Sequence, residues 1–187
     1  MQDAPWRPFT VPNLIALLRI IGIPFFLVWA LDSPDGKDIP AAALYCTIGF
    51  SDYLDGFIAR LTGQYSRLGA LLDPVADRSL AVAGMYVAWH FELLPRWAVA
   101  LVLGRELAML LFGTWAVRKG VEVKINWAGR LGVGPVLAAP FWAMVSVQWF
   151  ALFLLYSGIA LSFWASFLYA KEARRQLASI RKVSTSS

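Results

Sequence analysis

The chain has 187 residues, 59% hydrophobic, 14% aromatic and only 16% charged, which excludes an ordinary water-soluble domain. Its net charge of +5 gathers at particular loops, a pattern that argues against nucleic-acid binding. The single Cys46 excludes an intramolecular disulfide and has no metal-site spacing.

Hydropathy predicts an all-α integral membrane protein forming a single domain over 1–187. Residues 1–10 form an interfacial segment carrying Trp6, Arg7 and Phe9. Six transmembrane helices follow, over Val11–Ala30, Pro40–Leu61, Leu68–His90, Trp97–Val117, Gly129–Val147 and Phe150–Ala170. Arg19 interrupts the first apolar run, and the run exceeds a signal-peptide core in length, so it reads as a retained helix. Trp97, Trp127, Trp149 and Tyr169 stand near span ends, as interface anchors do, and His90 closes the third span in an interfacial position. Residues 171–187 are a basic tail, frayed at its S-T-S-S end.

Lys and Arg set the orientation. Arg7, the Arg60–Arg67 loop, the Arg118–Arg130 loop and the tail fall on one side, whereas the other side receives only Lys37 and Arg96. The positive-inside rule therefore predicts that both termini are cytoplasmic, as in a bacterial inner-membrane protein.

Four carboxylates break the apolar pattern where the second and third spans meet: Asp52, Asp55, Asp73 and Asp77. Each costs at least ~3 kcal/mol at membrane depth, so an idle one would be a liability. Asp52 and Asp55 are three residues apart and Asp73 and Asp77 four apart, so each pair shares a helical face. Two antiparallel helices bring the pairs together at the cytoplasmic surface, in a polar cavity. Four neighbouring carboxylates ionise together only around a cation. An all-oxygen donor set favours Mg²⁺, with Mn²⁺ or Ca²⁺ as alternatives, and two ions would suit a diphosphate substrate. Gly56, Ala59 and Gly69 interleave the carboxylates as a floor for a bulky ligand, and Arg60 stands ready to hold phosphate oxygens.

The run Asp52-x-x-Asp55-Gly56-x-x-Ala59-Arg60, eight residues, then Gly69-x-x-x-Asp73-x-x-x-Asp77, resembles the motif of the CDP-alcohol phosphatidyltransferases at every fixed position. The opening V-P-N-L-I-A-L-L-R-I-I-G-I-P-F-F also resembles that family's first helix. The resemblance implies transfer of a phosphatidyl group from CDP-diacylglycerol to an alcohol, with release of CMP. It implies that Asp52, Asp55 and Asp73 are metal ligands and that Asp77 completes the cluster and acts as general base. It further implies that Gly56, Ala59 and Gly69 let the nucleotide approach the backbone, that Arg60 binds its phosphates, and that the protein is a homodimer. The lipid tails of the donor would stay in the bilayer.

The acceptor is less sharply defined. Arg105-Glu106, within the fourth span, either pairs with neighbours or faces the polar cavity. Lys124 and Arg130, just before the fifth span, are placed to reach an acceptor phosphate, whereas Arg118 and Lys119 also fit ordinary positive-inside topology. An anionic acceptor suits Arg105, Lys124 and Arg130 as its binding residues, and the R-E pair resembles the bacterial branch that uses glycerol 3-phosphate. The lysine-threonine pattern common in that branch is replaced by A-G-R-L-G-V-G. That departure keeps open a cardiolipin-forming branch, which uses phosphatidylglycerol, and a branch that uses an inositol phosphate. A small ion or proton transporter is the reading from another class. It predicts polar residues through the full membrane depth, whereas the acidic cluster is confined to one side.

Overall fold

The computed structural model describes the backbone of residues 11–62, 69–118 and 127–184, and within them the side chains of 13–51, 75–109, 111–112, 133–168 and 170–171. The expected interfacial segment at 1–10, the 63–68 turn and the 119–126 loop with Lys124 lie outside the described residues. Six helices account for the described chain: α1 (Val11–Asp32), α2 (Ile39–Thr62), α3 (Gly69–His90), α4 (Arg96–Arg118), α5 (Trp127–Met144) and α6 (Gln148–Ser184). No strand occurs among the described residues, in accord with the all-α expectation.

The helices follow the predicted spans closely, with one difference. The sixth runs 37 residues and carries the basic tail with it as far as Ser184. The sequence A-K-E-A-R-R-Q-L-A-S-I-R-K has no Gly or Pro and is rich in good helix formers, so the helix continues where the apolar run stops. α3 continues through Pro74 in its second turn, where the missing amide leaves the Ala70 carbonyl without its helical donor.

Local chemistry sets the helix ends. Asp38 caps α2, its carboxylate accepting from the Ala41 amide at 3.4 Å and its carbonyl from Ala42 at 2.9 Å. α3 ends with Glu92 in the left-handed region at φ 55°. There the Leu93 amide reaches back to the Ala88 carbonyl at 3.0 Å and the Glu92 amide to Trp89, the Schellman arrangement. α5 ends in the same way at Ser146, φ 64°, with Val147 bonded to Trp142 and Ser146 to Ala143.

α5 and α6 form the most extensive pairing; α1 packs on α2 and α3, α3 on α5, and α4 on α3 and α6. Small residues permit the closest approaches. A Cβ on Gly158 of α6 would lie 2.6 Å from Val136 Cγ2 of α5. A Cβ on Gly84 of α3 would lie 2.6 Å from the Tyr45 ring. That space lets Tyr45 cross α3 and donate its hydroxyl to the Leu137 carbonyl of α5 at 2.8 Å. Phe26, Met85, Leu94, Met144 and Leu155 fill the remaining core.

Large apolar side chains also face outward. Phe25, Val28, Trp149, Phe153 and Phe167 are each more than 60% exposed. Among the described residues two helices are long and apolar enough to cross a membrane, Asn13–Asp32 and Gln148–Leu168, with mean hydropathies of 2.4 and 1.8. Only 28% of either stretch is buried within the protein, unlike a core helix of a soluble fold. Exposed apolar surface on this scale is consistent with a membrane protein. Ile39–Ser51 and Val133–Met144 are shorter apolar stretches in α2 and α5.

Candidate active site

Arg19, Ser51 and Asp77 meet in the interior, one each from α1, α2 and α3. The side chain of Arg19 is fully buried. Its Nη1 donates to Asp77 Oδ1 at 3.0 Å and its Nε to Ser51 Oγ at 3.3 Å. Ser51 in turn donates to the Ile48 carbonyl at 2.7 Å, which fixes its oxygen toward the guanidinium. These helices come together because their facing side chains are small or apolar, among them Ile23, Ala41, Ile48, Ala76 and Leu80. A cation enclosed in that packing requires an anionic partner, and Asp77 is it. Among the described residues no buried side-chain nitrogen or oxygen lacks a hydrogen-bond partner.

Arg19 is eight residues from the start of α1 and Asp77 eight from the start of α3. At 1.5 Å per residue both sit about 12 Å inside their helices. Asp77 keeps 43% of its side-chain surface accessible while it is bound to Arg19.

The remaining predicted residues are placed by backbone alone. Asp52, Asp55, Gly56, Ala59 and Arg60 belong to α2, Gly69 and Asp73 to α3, and Arg130 to α5; their side chains lie outside the described residues. Helical register puts Asp73 one turn from Asp77 along α3, and Asp55 one turn from Ser51 along α2. Asp52 directly follows Ser51. The junction made by Arg19 thus occupies the positions from which the four aspartates are counted.

Arg105 stands on α4. Its guanidinium pairs with Glu106 and reaches α6, where Nε meets Ser166 Oγ at 3.3 Å and Nη2 the Ser162 carbonyl at 3.4 Å. Ser166 completes the link by donating to the Ser162 carbonyl at 2.8 Å. Of the two roles open to Arg105 in the sequence, pairing with neighbours is the one its geometry displays.

Sequence reasoning passed over Arg19 as a site residue, treating it only as an interruption of an apolar run. The signal was available: a charge within an apolar helix needs a partner, the same argument that singled out the aspartates.

Comparison with known proteins gives a coherent result. A family model described as CDP-alcohol phosphatidyltransferase matches residues 9–167. Proteins named CDP-diacylglycerol–glycerol-3-phosphate 3-phosphatidyltransferase from Shigella flexneri serotype 5b (strain 8401) and Escherichia coli (strain K12) are each 30% identical over 180 residues. Each alignment covers 90% of this chain and 97% of the relative.

Proposed function

The chain belongs to the CDP-alcohol phosphatidyltransferase family, and on that premise we propose that it moves the phosphatidyl group of CDP-diacylglycerol to glycerol 3-phosphate, releasing CMP. The observation that carries this reading is the similarity, over 97% of their length, to relatives whose names state that reaction. The lysine-threonine departure after the fourth helix is a difference within the family and leaves the reaction class unchanged.

In this reading all six helices cross the bacterial inner membrane, with both termini and a polar cavity on the cytoplasmic side. The loop charge bias supports that orientation. Asp52, Asp55, Asp73 and Asp77 would hold Mg²⁺, with Mn²⁺ as a substitute and two ions as the full complement. Four carboxylates suit a hard cation, and the accessible carboxylate of Asp77 fits a ligand's role. When bound, the metal supplies charge neutralisation of the diphosphate and helps CMP to leave.

The chain's own residues do the rest. Arg60 binds the diphosphate, and Gly56, Ala59 and Gly69 let the cytidine lie close to the backbone. Lys124 and Arg130 hold the phosphate of the acceptor. Asp77 takes the proton of the acceptor hydroxyl as its oxygen bonds to the phosphatidyl phosphorus. The bond from that phosphorus to CMP breaks, and CMP leaves with the electron pair. The family resemblance supports a homodimer as the working assembly.

The test is a panel of acceptors offered to the purified protein with CDP-diacylglycerol and Mg²⁺, with the lipid product identified. Glycerol 3-phosphate should release CMP and yield phosphatidylglycerophosphate, whereas phosphatidylglycerol and inositol phosphate should not react. Failure to release CMP with any acceptor would sink the transferase reading, and release only with phosphatidylglycerol would move the protein to the cardiolipin-forming branch. In the same assay Asp77→Asn should lower turnover by at least about a hundredfold while still binding the donor. Near-normal turnover in that variant would remove Asp77 as general base.

A further inference from the structure

We propose that Arg19 is a positioning residue of the transfer reaction, acting through Asp77; the inference rests on the transferase reading above. The guanidinium touches three helices at once: it is carried by α1, braced on α2 through Ser51 and bonded to Asp77 on α3. It is fully buried, whereas the carboxylate it holds is 43% accessible. A simple structural ion pair has no need of an open side, and a carboxylate that must meet substrate does. The geometry fixes one edge of Asp77 from within the bundle and keeps part of its side chain accessible.

Ser51 sets the plane of the guanidinium. Its hydroxyl is tied to the Ile48 carbonyl, so the oxygen that accepts from Arg19 Nε has a fixed direction. With Nε and Nη1 both engaged, rotation of the planar fork is blocked and the Oδ1 position of Asp77 is set to hydrogen-bond precision. Because Asp52 follows Ser51 and Asp73 precedes Asp77 by one turn, Arg19 also sets the distance between the two helices that bear the aspartates. A lysine at 19 would keep the charge and lose the fork, since an ammonium is a point charge on a flexible stem.

The experiment compares wild type, Arg19→Lys, Arg19→Gln and Ser51→Ala in lipid nanodiscs with Mg²⁺. It reads kcat and both KM values from CMP release, CDP binding by calorimetry without acceptor, and the melting temperature. Arg19→Lys should fold, bind CDP and keep both KM values within about threefold of wild type, yet lose at least about tenfold in kcat. Ser51→Ala should lose about threefold in kcat with unchanged KM. Arg19→Lys with kcat within twofold of wild type would overturn the proposal, as would a kcat loss matched by an equal loss of folded, CDP-binding protein. Should neither Arg19 variant fold, Ser51→Ala decides, and wild-type kcat there is the overturning result. A wild type that releases no CMP with any acceptor is a failure of the transferase reading itself, seen before any variant is compared, and it takes the positioning role with it.

Discussion

A guanidinium inside an apolar helix bundle has five donors to satisfy, and Arg105 directs them toward Glu106, Ser162 and Ser166. Its side chain is only 10% exposed, so these bonds operate away from bulk water. α4 otherwise packs lightly, mainly on α3 and α6, and this link is a polar tie to α6. Arg105→Met should therefore lower stability by about 2–3 kcal/mol, through lost charged hydrogen bonds and an uncompensated Glu106. In the folded fraction the KM for glycerol 3-phosphate should stay within about twofold of wild type. A tenfold rise in that KM with unchanged melting temperature would instead assign Arg105 to the acceptor. Residue by residue, the sequence made the aspartates conspicuous because charge inside an apolar run is visible without a structure. That Arg19 partners Asp77, 58 residues away, needed the packing of three helices, which no spacing rule supplies.

At the level of elements, apolar runs marked all six helices but not how they stop. Hydropathy ends where the lipid-facing surface ends, so the basic continuation of α6 to Ser184 was invisible to it. Glycine is the usual mark of a helix C-terminus, and neither Glu92 nor Ser146 offers that mark. Both occupy the left-handed region all the same, because the following residue, Leu93 or Val147, bonds back to the helix, and Leu93 is buried in the core. The conformation costs a residue with a Cβ about 1–2 kcal/mol, partly offset by the greater chain entropy glycine would lose. Ser146→Gly should thus stabilise the protein by about 0.5–1 kcal/mol and raise its melting temperature by roughly 1–3 °C. Tryptophan fluorescence during a thermal ramp in detergent measures this directly. A lower melting temperature would show that the serine side chain contributes more than the backbone strain removes.

For the whole molecule, the described loops converge at one end. A Cβ on Gly36 of the α1–α2 loop would lie 2.4 Å from the Phe91 ring of the α3–α4 loop, and Gln148, opening α6, donates to the Leu93 carbonyl at 2.6 Å. Trp29, Trp89, Trp97 and Trp149 stand within a turn of the helix ends there, all at least 37% exposed, as a belt at a membrane interface would be. Arg19 and Asp77 belong to the opposite half, nearer the starts of α1 and α3. If the belt end is periplasmic, the transferase centre faces the cytoplasm, where its CDP-linked donor and charged acceptor would be met. Replacing Cys46, the chain's one cysteine, by serine gives a background for testing this with single cysteines at Lys37 and Ser184. A membrane-impermeant thiol reagent applied to intact cells should label Lys37→Cys, and should reach Ser184→Cys only after permeabilisation. Five helices separate the two sites, so labelling of both from one side would contradict six crossings. Labelling with the sides exchanged would turn the aspartates outward, and a cytoplasmic phosphorylated acceptor could then no longer reach them.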